Sequence, residues 1–196
     1  ALLPAKAAST AAARVASFPP LEYLEPIYEL KLSLNALASV SSDSKRWPGV
    51  KKRLDAFFGG GPLSERFFYL GVAQQYSEKI TYDDLDFAVK ADKLQRTQEM
   101  ESVLRAMENC KKALEAATPD ASAVVSAVDL AKRSMDRWLS LVPEDDVQAI
   151  SRLMSSVAQA DIDRNGKLEK AEIATLPDAD RRTWERRLEL YGDGRR

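Results

Sequence analysis

The sequence predicts an all-α protein: an up-down four-helix bundle followed by a short helical C-terminal segment. Three observations carry that expectation. Apolar residues recur at three- and four-residue spacing through most of the 196 positions, the period of a helix with one buried face. Ala, Leu, Lys, Arg and Glu are abundant while glycine occurs only eight times, a composition suited to helix interiors. Proline and Ser/Asp/Gly clusters fall between the periodic stretches, where helices start and stop.

The elements follow in order. Residues 1–21 are Ala-rich, carry Lys6 and Arg14 without an acid until the arm's end, and close on Phe18-Pro19-Pro20. They read as an extended arm, either draped over the surface or serving as a docking segment. Ile27, Leu30, Leu34 and Leu37 then mark a first helix after Pro26, a residue tolerated in a first turn. Ser41-Ser42-Asp43-Ser44 ends it. Trp47-Pro48 opens a second helix with Val50, Leu54, Phe57 and Phe58 inside, and Gly59-Gly60-Gly61-Pro62 interrupts it with a bend. Beyond the bend, Ser64 is placed to cap a segment rich in Phe67, Phe68, Leu70 and Val72.

Thr81 and Asp84 have the spacing of a capping box, so a long third helix is expected from there to about Ala117. It would bury Met100, Val103, Leu104, Met107 and Leu114. Thr118-Pro119 predicts a fourth start, with Thr118 as cap and Pro119 at the first helical position. Val124, Val128, Ala131, Met135, Leu139 and Val142 form its stripe until Pro143 stops it. Four such faces bury one another in a bundle over residues 22–142. Residues 143–196 form a separate C-terminal segment. Its first helix carries Val147, Ile150, Leu153, Met154 and Val157, and its last is basic, with Arg181, Arg182, Arg186 and Arg187 around Trp184.

Composition narrows function. The net charge of −1 gives no global field for nucleic acid, and no apolar run approaches the roughly 20 residues of a membrane span. Histidine is absent, which removes the usual neutral-pH base, His-activated nucleophiles and His-held metals. Cys110 is the lone cysteine, so no disulfide forms within the chain, and it reads as a buried inert thiol. No acid/base or nucleophile cluster stands out, and the expectation is a protein that is not an enzyme and takes no small-molecule substrate.

The most specific motif is Asp161-Ile162-Asp163-Arg164-Asn165-Gly166-Lys167-Leu168-Glu169-Lys170-Ala171-Glu172. Asp161, Asp163 and Asn165 are oxygen donors at positions one, three and five. Gly166 allows the sharp turn at six, and Lys167 need offer only its carbonyl at seven. Glu169 acts through water at nine, and Glu172 closes the shell with two oxygens at twelve. This is the pattern of an EF-hand calcium loop. Unpaired and flanked by Arg164, Lys167 and Lys170, it is expected to bind weakly, with a dissociation constant of about 10⁻⁵–10⁻³ M, and to brace structure rather than switch it. The segment Lys79–Asp84 resembles the end of a second loop, but Ala73, Gln74, Gln75 and Tyr76 before it are not ligands.

Residues 22–142 resemble the PsbQ-type extrinsic proteins of photosystem II, including their red-lineage algal relatives. The resemblance lies in the Tyr23-Leu24-Glu25-Pro26 lead-in, the first helix through Leu37, Lys45-Arg46-Trp47-Pro48-Gly49-Val50-Lys51-Lys52-Arg53-Leu54, and the proline-initiated fourth helix. Two departures stand out: the Gly59–Pro62 break, and the calcium loop, which is not a usual part of such proteins. The resemblance implies a non-catalytic subunit on the lumenal face of the thylakoid membrane of a chloroplast. It would bind the photosystem core and other extrinsic subunits, shield the oxygen-evolving complex, and help retain its calcium and chloride. A start at Ala1 is compatible with removal of a targeting sequence. Trp47, Lys51, Lys52 and Arg53 are the candidate docking group, an aromatic anchor beside positive charge. Two other readings stay open: a lumenal subunit of photosystem I, and a calcium-responsive adaptor that grips a partner helix.

Overall fold

Proline and glycine set where the chain turns in the computed structural model, which describes residues 16–82, 87–161 and 168–191. Helix α1 (Glu25–Ser41) opens with Pro26 in its first turn and α2 (Trp47–Phe58) with Pro48. Gly59 stops α2: its N–H donates to the Asp55 carbonyl at 2.8 Å, and a Cβ there would sit 2.8 Å from the same oxygen. Gly60 and Gly61 follow with φ of 86° and 58°, left-handed values that favour glycine, and so turn the chain into α3 (Glu65–Lys79). The bend expected from four consecutive turn-forming residues is present.

Helix α4 (Phe87–Glu115) is the spine, 29 residues and roughly 43 Å at about 1.5 Å per residue. Helix α5 (Ala121–Leu139) packs along α4 more extensively than any other pair of elements. Its cap differs from the sequence expectation. Asp120, not Thr118, is the cap: its carboxylate accepts the Ser122 N–H at 2.9 Å and the Ser122 hydroxyl at 2.8 Å. Those bonds hold the Asp120 carboxyl below its ordinary range. Pro119 therefore precedes the helix, and the first helical position is Ala121. Helices α6 (Glu144–Ala160), α7 (Lys170–Ile173) and α8 (Asp178–Tyr191) complete the chain.

The described chain is all-helical apart from one small ladder. Strand β1 (Ala16–Ser17) pairs antiparallel with β2 (Thr81–Tyr82), Ala16 opposite Tyr82 and Ser17 opposite Thr81. Thr81, expected to cap a helix, is thus extended and pins the end of the N-terminal arm. Asp84, its expected partner, lies outside the described residues, as do residues 1–15.

Helix α1 packs on α5, α5 on α4, and α4 on both α2 and α3, which in turn meet α1. The predicted stripes line this core: Ile27, Leu30 and Leu34, then Met100, Val103, Leu104, Met107 and Leu114, then Val124 through Val142, are all buried. Phe67 is the exception. It is 50% exposed, and Tyr69, Val72, Ala73 and Tyr76 make the inner face of α3 instead. The same apolar core continues past Pro143 through Ile150, Leu153, Val157 and Leu176 to Trp184.

Helix α8 is fastened to α1 by charge. Arg187 is 2% exposed and forms ion pairs with Glu25 and Glu29, themselves buried. One guanidinium N–H donor reaches both Glu29 oxygens at 3.1 and 3.2 Å. The guanidinium also lies 4.8 Å from the Trp184 ring centre. Of the basic last helix, Arg187 and Trp184 are therefore turned inward, and the acids that Arg187 meets belong to this chain's own α1.

Removing one member of a buried charge cluster leaves the others unpaired. Arg187→Leu is expected to lower unfolding free energy by about 3–5 kcal/mol in urea titrations. Arg186→Ala, which removes an exposed cation 3.3 Å from the buried Glu22, should cost less than Arg187→Leu.

Candidate docking face and calcium-loop ends

The Trp47–Arg53 group begins where α1 ends. Ser41 closes α1, Asp43 accepts the Lys45 N–H at 3.1 Å, and a short 3-10 turn (Ser44–Arg46) delivers Trp47. The indole N–H of Trp47 donates to the Ser41 carbonyl at 2.8 Å, so the ring closes over the end of α1. A carbonyl of the last turn, left open by the helix, is satisfied in this way. Trp47 is half-buried: it is a structural staple with one edge outward, rather than a free anchor.

The three cations beside it differ. Lys51 and Lys52 are exposed, and neither forms an ion pair among the described residues. Arg53 is bound bidentately to Glu65 across the α2–α3 corner, at 2.8 and 2.9 Å. That bond holds the guanidinium above its already high ordinary pKa, and burial acts the other way. Nearby, burial pushes the Tyr69 hydroxyl well up, with the Glu29 and Glu65 charges adding to it. The face therefore offers Lys51 and Lys52 as unspent charge and Arg53 as a fixed edge.

The calcium loop is described at its two ends. Asp161 closes α6, its N–H bonded to the Val157 carbonyl at 3.1 Å, and is 6% exposed. Glu172 is buried on α7, which packs on α6. Its Oε2 accepts the Glu169 N–H at 2.9 Å, while the Glu169 side chain bonds back to the Glu172 backbone, a reciprocal capping box. Leu168 is partly buried against the core. Asp163, Asn165, Gly166 and Lys167 lie outside the described residues. Among those described, no group of three or more Asp, Glu, His or Cys side chains is placed to hold a metal. The donors that are described fit calcium in chemistry: hard carboxylate oxygens at both ends of one loop, with Glu172 oriented by its backbone bond. A bound ion would draw the two ends together by neutralising their charge.

Sequence reasoning missed two clusters. Glu22, Glu25 and Glu29 recur at three- and four-residue spacing, and that pattern facing an Arg186-Arg187 pair was the available signal for the α1–α8 contact. Arg96, 1% exposed, donates to the Ser77 hydroxyl at 3.2 Å and points towards the Leu141 carbonyl at 3.5 Å, joining α4 to α3 and to the end of α5. No local pattern marks it. Cys110 is fully buried, and burial pushes its thiol up to about 11, away from thiolate chemistry at neutral pH.

No family model matches the chain, and neither a curated protein nor a solved structure matches it. Among the described residues no helix is long and apolar enough to cross a membrane.

Trp47→Phe keeps the ring and removes its donor, so it is expected to cost about 0.5–1.5 kcal/mol in urea unfolding. Lys51→Ala and Lys52→Ala, which leave no group unpaired, should stay within about 0.5 kcal/mol.

Proposed function

We propose that the chain is a non-catalytic, PsbQ-like extrinsic subunit on the lumenal side of photosystem II, stabilising or shielding the oxygen-evolving complex. The observation that carries this reading is the Trp47 junction. There Trp-Pro opens α2 directly against the end of α1 and leaves Lys51 and Lys52 outward on a rigid support. We read the packing of α1, the bent α2–α3 pair, α4 and α5 as the up-down four-helix bundle of such subunits, with α2 and α3 together as its second member. A subunit of this kind needs a stiff body and a charged docking face. Its partners would be the photosystem core and the other extrinsic subunits.

The test is retention on membranes. The protein should co-sediment with thylakoid membranes, come off in a high-salt wash, and come off at lower salt as Lys51→Glu/Lys52→Glu. Recovery only in a stromal or cytosolic fraction contradicts the reading, and migration with photosystem I on a native gel moves the subunit to that complex.

Calcium has a bracing role in the same account. Asp161, Asp163, Asn165, the Lys167 carbonyl, Glu169 and Glu172 would supply its oxygens, and the ion would tie α6 to α7 and so steady the approach to α8. Calorimetry should give a dissociation constant of about 10⁻⁵–10⁻³ M, with a rise in melting temperature and no change in helix content. Glu172→Gln should remove both effects. A change in helix content at micromolar calcium would favour the calcium-responsive adaptor instead.

A further inference from the structure

A cavity of about 40 Å³ lies where α1, α2 and α3 meet over α4. Its walls are Leu30, Leu34 and Leu37 from α1, Leu54 and Phe57 from α2, and Met107 from α4. Tyr69 of α3, Ser33 and Arg53 complete the lining, so a space of about three waters at about 10–15 Å³ each is walled mainly by apolar groups with few polar partners. An empty cavity of that kind forfeits contacts on every wall, and an apolar group entering it recovers them.

Charge identifies what would carry that group. The exposed lining members are Ser33 and Arg53, and Arg53 is held in place by Glu65. From Lys45 to Arg53 the chain has five cations and no acid, and Lys51 and Lys52 are unpaired among the described residues. On α2, Gly49, Lys52, Arg53 and Ala56 share one exposed stripe by three- and four-residue spacing. A Cβ added at Gly49 would meet nothing within 4 Å, so the surface beside the mouth is open. A chain lying there meets positive charge along its length and an apolar hole at one point.

We propose that this cavity is a socket for one leucine- or methionine-sized side chain of an acidic partner segment, whose carboxylates lie over Lys52 and Arg53. The proposal rests on the docking-face reading above and adds the partner's chemistry to it. Burying one apolar anchor inside a charged rim gives register as well as attraction: the cations gather the segment and the socket fixes where it stops.

The experiment uses the full chain with labelled Leu and Met methyl groups and a glutamate-rich peptide carrying a single leucine. Two analogues accompany it, one with alanine for the leucine and one with lysine for every glutamate. The expected result is saturable shifts at the Leu34, Leu37, Leu54 and Met107 methyls, at least about tenfold weaker binding of the alanine analogue, and none of the lysine analogue. Ser33→Leu, which fills the mouth from an exposed position, should fold with unchanged helix content and lose the leucine peptide. Equal binding of the leucine and alanine peptides overturns the socket, as do shifts that miss these methyls. Binding of the lysine analogue overturns it too, and so does a concentration-dependent dimer whose dissociation moves the same methyls, which would make a second copy the occupant. Equal peptide binding that is still abolished by Lys51→Glu/Lys52→Glu removes the socket and leaves the docking face standing. Membrane retention unaffected by that double substitution removes the docking face itself.

Discussion

One guanidinium holds the two ends of this chain together. Arg187 of α8 lies buried between Glu25 and Glu29 of α1, separated from them by almost the whole sequence. Two carboxylates and one guanidinium are buried together there, where charge is costly to desolvate. The surroundings are arranged around that cost. The Trp184 ring lies against the guanidinium, Tyr191 stacks edge-on against Tyr23 and Phe68, and Arg186 brings a second cation to Glu22 at the rim. Glu25 also sits in the first turn of α1, where the helix dipole favours an anion. A hydrophobic contact of the same size would hold α8 with less demand on geometry. The ionic contact specifies one orientation, because only one placement of α8 brings Arg187 within reach of both acids.

That constraint gives the candidate calcium loop its structural setting. The loop stands between α6 and α7, and α7 leads through Leu176 and Pro177 into α8. Anything that steadies Asp161 against Glu172 also steadies the start of the helix that Arg187 fastens at its far end. This position is what supports the bracing role proposed for calcium. The proposed docking face lies on α2 and depends on a different joint, the Trp47 indole over the end of α1. Helix α1 is common to both: its start carries the acids that hold α8, and its end carries the carbonyl that holds Trp47.

Most of the fold was legible in the sequence because helix periodicity reports burial directly. Every residue named in the α4 and α5 stripes is buried, but Arg96, Ala106, Ser134 and Trp138 are buried beside them without having been read, and Pro26, Pro48, Pro143 and the Gly59–Pro62 bend lie where the chain turns. What escaped was non-local or a matter of competing local chemistry. Thr118 and Asp120 are both good caps, and Asp120 is favoured because Ser122 offers it two donors. Thr81 looked like a cap because its pairing with Ser17 joins positions far apart in the sequence. Arg187 looked like surface charge because nothing near it names its acids. Of the candidate site, Trp47 and the unpaired lysines were legible as a group, whereas the commitment of Arg53 to Glu65 depends on a corner that only the folded chain makes.

The central claim is that α8 belongs to the same cooperative unit as α1, α4 and α5 because the Glu25–Arg187–Glu29 contact makes it so. Native-state hydrogen exchange tests this most directly. The account predicts that the amides of Trp184 to Leu188 open with the same free energy, and the same denaturant dependence, as those of Val128 to Met135 in α5. Exchange of the α8 amides at a markedly lower free energy, with α5 still fully protected, would contradict it.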